Sequence, residues 1–341
     1  MPKRSNFNKI YFLYLLFLII GALLVAEFLI YPLKLKVQRD YFLMGFFANT
    51  QKIYGTPINN MGFTGDVLKT NKHPLTIRIL TLGGSAFFNR RMTERLKERL
   101  QSATSQPIEI LGAALRTHTS WSSIYKYKLL SRYKFDYVLI YEGINDLWAN
   151  RVASKDFKDD YSQLSPWYKR SFFLSHSMIY RSHYNKHLYR KPKAITSSPG
   201  YQSIRILKMN LENLIDLVRK DGGVPILMTF VWNIPSNYNF EDFVSNNVGY
   251  YNPDNYNKCP VELWGSPEYV RVGLMRINDM IKEVACNKNV LLIDQDNMMS
   301  QDISLLGDVR HFNDRGIDQF IDNIVNYFNI HNLLEKKKLD H

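Results

Sequence analysis

The sequence predicts an α/β fold in three layers, a doubly wound parallel sheet of five strands between helices, preceded by one transmembrane helix. Two observations predict the layered part. Five short runs of apolar and β-branched residues recur along the chain, each followed by a segment of helical spacing, the alternation that builds parallel sheets through crossovers. Several of these runs are too continuously apolar for a strand with one wet face, so both faces are expected to be covered. A third observation sets the amino end apart: Ile10 to Ala26, IYFLYLLFLIIGALLVA, carries no charge.

That first segment stays apolar after Glu27 through Phe28, Leu29, Ile30 and Tyr31. At about 1.5 Å per residue the stretch to Tyr31 covers roughly 33 Å, enough for a bilayer core. A cleaved signal peptide would have a shorter apolar core and a small-x-small cleavage site. The expectation is therefore an uncleaved anchor over 10–31, with 1–9 cytoplasmic and the rest on the periplasmic or extracellular side. Lys3, Arg4 and Lys9 are balanced by Lys34, Lys36 and Arg39, so the positive-inside rule does not itself fix that orientation.

A polar connector, 32–74, follows; its INNMGFTG stretch signals turns. Leu75 to Leu82 (LTIRILTL) is the first expected strand, and the helix after it places Met92, Leu96 and Leu100 on one face. Pro107 to Leu111 is a second strand, followed by helical spacing over 120–133, and Asp136 to Gly143 (DYVLIYEG) is a third. A basic and aromatic insertion occupies about 148–200. The alternation resumes with helix 202–220, strand Val224 to Phe230, a second insertion over about 235–266, helix 267–286, strand Asn289 to Asp294 and a helix from about Asn313. The layered domain is thus expected over 75–334, with a basic tail at 335–341.

The chain has 341 residues and a net charge of +13. Between Arg151 and Lys193 ten Lys or Arg stand against three Asp, which raises the question of a nucleic-acid partner. No zinc-finger spacing, RNP motif or basic heptad region accompanies the charge, and an anchored chain does not suit a genomic ligand, so no nucleic acid is expected. Anionic headgroups or an acidic glycan fit better, beside the plainer reading of a solvated basic face. Within the insertion, His183 and His187 are spaced i, i+4 and could bind a metal if helical. No carboxylate or third ligand is spaced with them, so these and His176 read as surface histidines and no metal is expected. Trp148, Trp167, Tyr161, Tyr168, Phe172 and Phe173 could line a pocket or pack the insertion on the sheet. Cys259 and Cys286 could form one disulfide or remain two thiols.

In open parallel sheets chemistry collects at the carboxyl ends of the strands. The first strand ends at LGGS with Ser85, the second at GAALRTHTS, the third at GIND with Asn145, and the fourth at VWNIP with Trp232 and Asn233. LLGDVRHFNDRG, with Asp308 and His311, follows the fifth. A glycine pair before a serine, or GxND, or DxxH, is by itself usually a turn; their convergence on one sheet edge is the signal. A serine hydroxyl becomes a nucleophile once a base takes its proton, and His311 is the candidate base. Asp308 could fix the imidazole tautomer. Asn145 and the backbone N–H groups of Ser85 and the second loop could meet a developing oxyanion.

LGGS, GIND and DVRH, in this order, resemble the blocks of the SGNH subset of GDSL esterases and lipases. The resemblance spans roughly 75–330, with identity confined to the blocks. It implies a flavodoxin-like SGNH hydrolase fold, no cofactor, Ser85 as nucleophile, Asp308 and His311 completing the triad, and Ser85, Thr117 and Asn145 as the oxyanion hole. Two positions depart from the family pattern. Gly84 stands where the family name has aspartate, and Thr117 stands where relatives carry a glycine. A threonine resists positive φ, so that loop is expected to be shaped differently.

The expected function is a membrane-anchored serine ester hydrolase, acting through an acyl-enzyme on O-acyl groups, such as acetyl, of a cell-envelope or exported glycan, with Trp148, Trp232 and Asn233 as candidate substrate contacts. Two alternatives stay open. One is an O-acyltransferase that receives its acyl group from a membrane-embedded acyltransferase partner and passes it to a polysaccharide; the other is a catalytically silent glycan-binding protein.

Overall fold

The computed structural model describes residues 4–25, 52–53, 56–88, 90–152, 154–161, 200–251, 258–299 and 302–335. They divide between two units. In the first the described residues form a single helix, α1 (Arg4–Val25), on which Tyr11, Phe12, Leu13, Phe17 and Leu24 are exposed. Among the described residues no helix is long and apolar enough to cross a membrane. The described side chains of α1 begin at Tyr11, and the expected anchor runs past Val25 into residues outside the description. His176, His183, His187, Trp167, Tyr168, Phe172 and Phe173 also lie outside the described residues, as does the tail from 336.

Apart from a small antiparallel pair, Lys52–Ile53 with Thr56–Pro57, the second unit is built on one large sheet. Its strands are β1 (Thr64–Gly65), β2 (Ile77–Gly83), β3 (Ile108–Gly112), β4 (Tyr137–Tyr141), β5 (Val224–Met228) and β6 (Leu291–Ile293), in the spatial order β1-β3-β2-β4-β5-β6. The last five strands are parallel to one another, whereas β1 runs antiparallel to β3. The sheet is therefore six-stranded and mixed, not the five-stranded parallel sheet expected. The added strand comes from the connector, where two residues cannot show a period. Its pairing rests on side chains: Asn59 Oδ1 accepts from Met61 N (2.9 Å) and Phe63 N (3.1 Å) and turns the chain, and Phe63 is wholly buried. Thr64 Oγ1 then donates to Gly112 O at 3.1 Å. A Cβ on residue 112 would lie 2.1 Å from that hydroxyl, so Gly112 is what lets the edge close.

Helices α2 (Arg90–Ser102) and α7 (Asp314–Ile330) pack together on one face, and α3 (Ser120–Leu130), α5 (Gln202–Lys220) and α6 (Pro267–Asn287) on the other. Every residue of β2 is buried, because it lies mid-sheet under both layers. Each fully buried Ile or Leu there contributes about 1.5–3 kcal/mol, which fixes the strand that carries Ser85. The order of the five parallel strands reverses direction between β2 and β4, the position at which such sheets open a crevice at their carboxyl ends.

Two further contacts set the edge of that crevice. Lys126 on α3 is fully buried, and its Nζ donates to Ala113 O (2.7 Å) and Gly83 O (3.4 Å), tying the ends of β2 and β3 together. Burial pushes its pKa down, partly offset by neighbouring Glu142, whose own carboxyl is pushed up by burial. On the opposite face Arg91, Arg95 and Arg99 of α2 alternate with Asp314, Asp318 and Asp322 of α7 in a ladder of ion pairs. Exposed pairs contribute about 0–1 kcal/mol each, so the ladder sets the register of α7 more than it adds stability. Helix α7 is capped by Asn313, whose Oδ1 accepts from Gly316 N, two residues after His311.

Candidate active site

After β2 the chain turns at once: Phe87 N donates to Gly84 O and Phe88 N to Ser85 O. The turn lifts Ser85, partly exposed, to the sheet edge. A Cβ on Gly84 would fall 2.4 Å from Asn145 Nδ2. A side chain here would have to displace the Asn145 amide, so glycine is what fits between the β2 and β4 ends in this arrangement.

Ser85 Oγ lies 3.0 Å from His311 Nε2, and His311 Nδ1 lies 2.7 Å from Asp308 Oδ2. The carboxylate is held from several sides. Its Oδ1 accepts from the N–H groups of Arg310 (2.9 Å) and His311 (2.8 Å), and its Oδ2 accepts from Cys259 N (2.9 Å). Burial opposes the charge on Asp308, but His311, Arg310 and these donors outweigh it and hold the pKa below the usual carboxylate value. The imidazole goes the other way: burial, with Arg310 and Arg116 adding to it, outweighs Asp308 and lowers the His311 pKa from 6.5. At neutral pH the ring is thus a neutral base beside an ionised acid. The loop bearing both is itself held against the segment that follows β5 by Asn233 N donating to Val309 O at 3.1 Å.

Asn145, in the short helix α4 (Ile144–Leu147), is buried. Its Nδ2 donates one proton to His118 O (2.8 Å) and its Oδ1 accepts from Arg310 Nη1 (2.9 Å). Next to it Asp146, wholly buried, accepts from Ser120 N and Ser120 Oγ and so pins the start of α3 to α4. Burial pushes the Asp146 pKa up to about 6 in spite of these bonds. Between the pins at His118 and Ser120 and the end of β3, Thr117 adopts φ 64°. The expected change of loop shape does not occur: the backbone takes the left-handed conformation that suits glycine, although a β-branched residue there costs about 1–3 kcal/mol. The Thr117 hydroxyl donates to Arg116 O at 2.6 Å. Among the described residues no acceptor meets the backbone N–H of Ser85 or of Thr117.

The sequence-derived substrate contacts fare differently. Trp148 is half-buried and packs on the core, and Trp232 is buried within it; no described contact joins either to the Ser85–His311–Asp308 chain. Asn233 serves the site through its backbone. Sequence reasoning missed Arg310 and Cys259. Arg310 is inside the DVRH block, but its 6 % exposure cannot be read from a motif. Cys259 acts through its N–H, which no residue pattern signals.

Cys259, Asp308 and His311 bring potential ligand atoms within 4.8 Å of one another. Their chemistry fits a cation poorly. Burial and the Asp308 charge push the Cys259 thiol up, whereas a metal needs the thiolate, and the Arg310 guanidinium stands 3.9 Å from its sulfur. Cys259 and Cys286 are not joined by a disulfide.

No family model matches the chain, and no curated protein matches it. Several solved structures are similar. A lipase/acylhydrolase from Enterococcus faecalis is 16% identical over 77% of this chain and 99% of its own, with a TM-score of 0.44. An acetylxylan esterase from Geobacillus stearothermophilus is 14% identical over 74% and 93%, also at 0.44. An α/β hydrolase from the metagenome of Lake Arreo is 14% identical over 76% and 97%, again at 0.44.

Proposed function

We propose that the chain is a serine ester hydrolase working through an acyl-enzyme, anchored to a membrane by the segment 10–31, and that it removes O-acyl groups such as acetyl from a cell-envelope or exported glycan. The observation that carries the reading is the unbroken hydrogen-bonded chain Ser85–His311–Asp308; the lowered pKa of the ring and of the carboxylate is in keeping with it.

In the first step the Ser85 Oγ–C bond forms as His311 Nε2 takes the hydroxyl proton, and the carbonyl π pair moves onto oxygen. Asn145 Nδ2–H and the N–H groups of Ser85 and Thr117 meet that charge, and one such donor contributes about 2.7–4 kcal/mol to the transition state. Asp308 stabilises the imidazolium, which returns the proton to the leaving alcohol as the C–O bond breaks. Water then repeats the sequence in reverse on the acyl-enzyme. The anchor is supported by the charge-free run Ile10–Ala26 and the exposed apolar side chains of α1. An acidic or headgroup-proximal glycan is favoured by the basic insertion.

The test compares the full chain with Ser85→Ala on small acetyl esters. Turnover by the wild type and none by the variant is expected; equal rates would overturn the reading. Product analysis with an acylated polysaccharide then reports whether water or a glycan hydroxyl resolves the acyl-enzyme.

A further inference from the structure

Arg310 stands beside the proposed oxyanion site. Its side chain is 6 % exposed, and among the described residues no carboxylate lies within salt-bridge distance of it. Its Nε is buried with no acceptor there. A buried cation whose nearby carboxylate, Asp308, attracts it only from beyond salt-bridge distance is costly, so packing alone is a poor reason to keep it. The guanidinium is held by a Trp264 ring 4.4 Å beneath its carbon, by the Asn145 carbonyl oxygen 2.9 Å from Nη1, and by a weak bond from Nη2 to Cys259 Sγ at 3.9 Å.

The second contact has a directional consequence. An amide has an accepting end and a donating end, and only the donating end can serve an oxyanion. Arginine has donors and no acceptor and is charged at every accessible pH. It can therefore pair only with Oδ1, which commits Nδ2 to the other side. There one Nδ2 proton goes to His118 O, and the second remains for substrate. The fixed charge also polarises the amide toward N–H donation through a direct 2.9 Å contact.

We propose that Arg310 is a positioning residue: it locks Asn145 in the one amide orientation that serves the oxyanion and polarises it, coupling the acid–base loop to the oxyanion hole. The backbone of the same residue donates to Asp308 Oδ1, so one residue fixes a member of each arm. The assignment rests on the ester-hydrolase reading above.

The experiment is a double-mutant cycle on the full chain with a small acetyl ester, at a pH high enough that the imidazole is neutral in every variant. Arg310→Met should lower kcat about ten- to a hundredfold with little change in KM, and Asn145→Ala about a hundred- to a thousandfold. In the Asn145→Ala background Arg310→Met should cost less than about threefold more, since the group it acts through is gone. Should Arg310→Met fail to fold, Arg310→Lys carries the same test: its single-point donor loses the planar geometry, so kcat should fall with Asn145 present and not in its absence. Equal losses in both backgrounds, a rise in KM with kcat unchanged, or full activity of Arg310→Met would each overturn the assignment. Failure of the underlying reading looks different, because Ser85→Ala would then be as active as the wild type.

Discussion

The acid–base arm and the oxyanion arm of this site are held by opposite means. Asp308 is over-determined, with three backbone donors and the His311 ring on one buried carboxylate. The oxyanion arm keeps Thr117 at φ 64°, against its side-chain preference, between the end of β3 and pins at His118 and Ser120. The first geometry is what hydrogen bonds would choose unaided. The second persists because Asn145 and Asp146 of α4 impose it, an arrangement in which strain at one residue is carried by its surroundings.

If this contrast is sound, variants in the two arms should fail differently. The largest effects belong to the acid–base arm. Ser85→Ala and His311→Ala should each lower kcat for ester hydrolysis by about 10⁴-fold or more, and Asp308→Asn by about 10⁴-fold through the wrong imidazole tautomer; steady-state rates on a small acetyl ester check all three. In the oxyanion arm, Gly84→Ala puts a Cβ against Asn145 Nδ2 and should displace that amide. A kcat loss of at least about tenfold is expected, up to the roughly thousandfold of losing the donor outright.

The electrostatics sharpen the comparison further. Activity needs neutral His311, whose pKa is lowered mainly by burial, so kcat/KM should rise with pH and reach its plateau through an apparent pKa below 6.5. Arg310 contributes to that lowering, and its removal should move this limb to higher pH. A limb at or above 6.5 in the wild type would contradict the balance drawn here. The smallest effect is one of stability. Thr117→Gly should relieve the left-handed strain and raise the unfolding free energy by about 1 kcal/mol, the relief exceeding the added chain entropy of glycine. Denaturant unfolding measures it, and activity should be kept, because the N–H remains.

What could be read in the sequence follows the same division. Strands β2 to β5 are legible because burial on both faces leaves a continuous apolar signature, and helices α2, α5, α6 and α7 because each shows one apolar face. Strand β6, half-buried at the sheet edge, and α3, which buries serines and Lys126, are legible only from the alternation around them. Ser85, Asn145, Asp308 and His311 are legible because side-chain chemistry recurs at strand ends. The two-residue β1 is not, since its pairing depends on Asn59, Phe63 and Gly112 meeting in space. Nor is Cys259, which contributes a backbone N–H, nor the amide lock from Arg310, which requires two loops far apart in sequence to converge. Thr117 shows the limit most plainly. Its intrinsic preference argues for another loop shape, and tertiary contacts overrule it.

On this geometry Ser85 is an activated nucleophile. Incubating the full chain with a fluorophosphonate and measuring intact mass tests it directly. The account predicts one adduct, on Ser85, absent from Ser85→Ala and greatly slowed in His311→Ala. No adduct on the wild type, or an adduct that persists in Ser85→Ala, would contradict it.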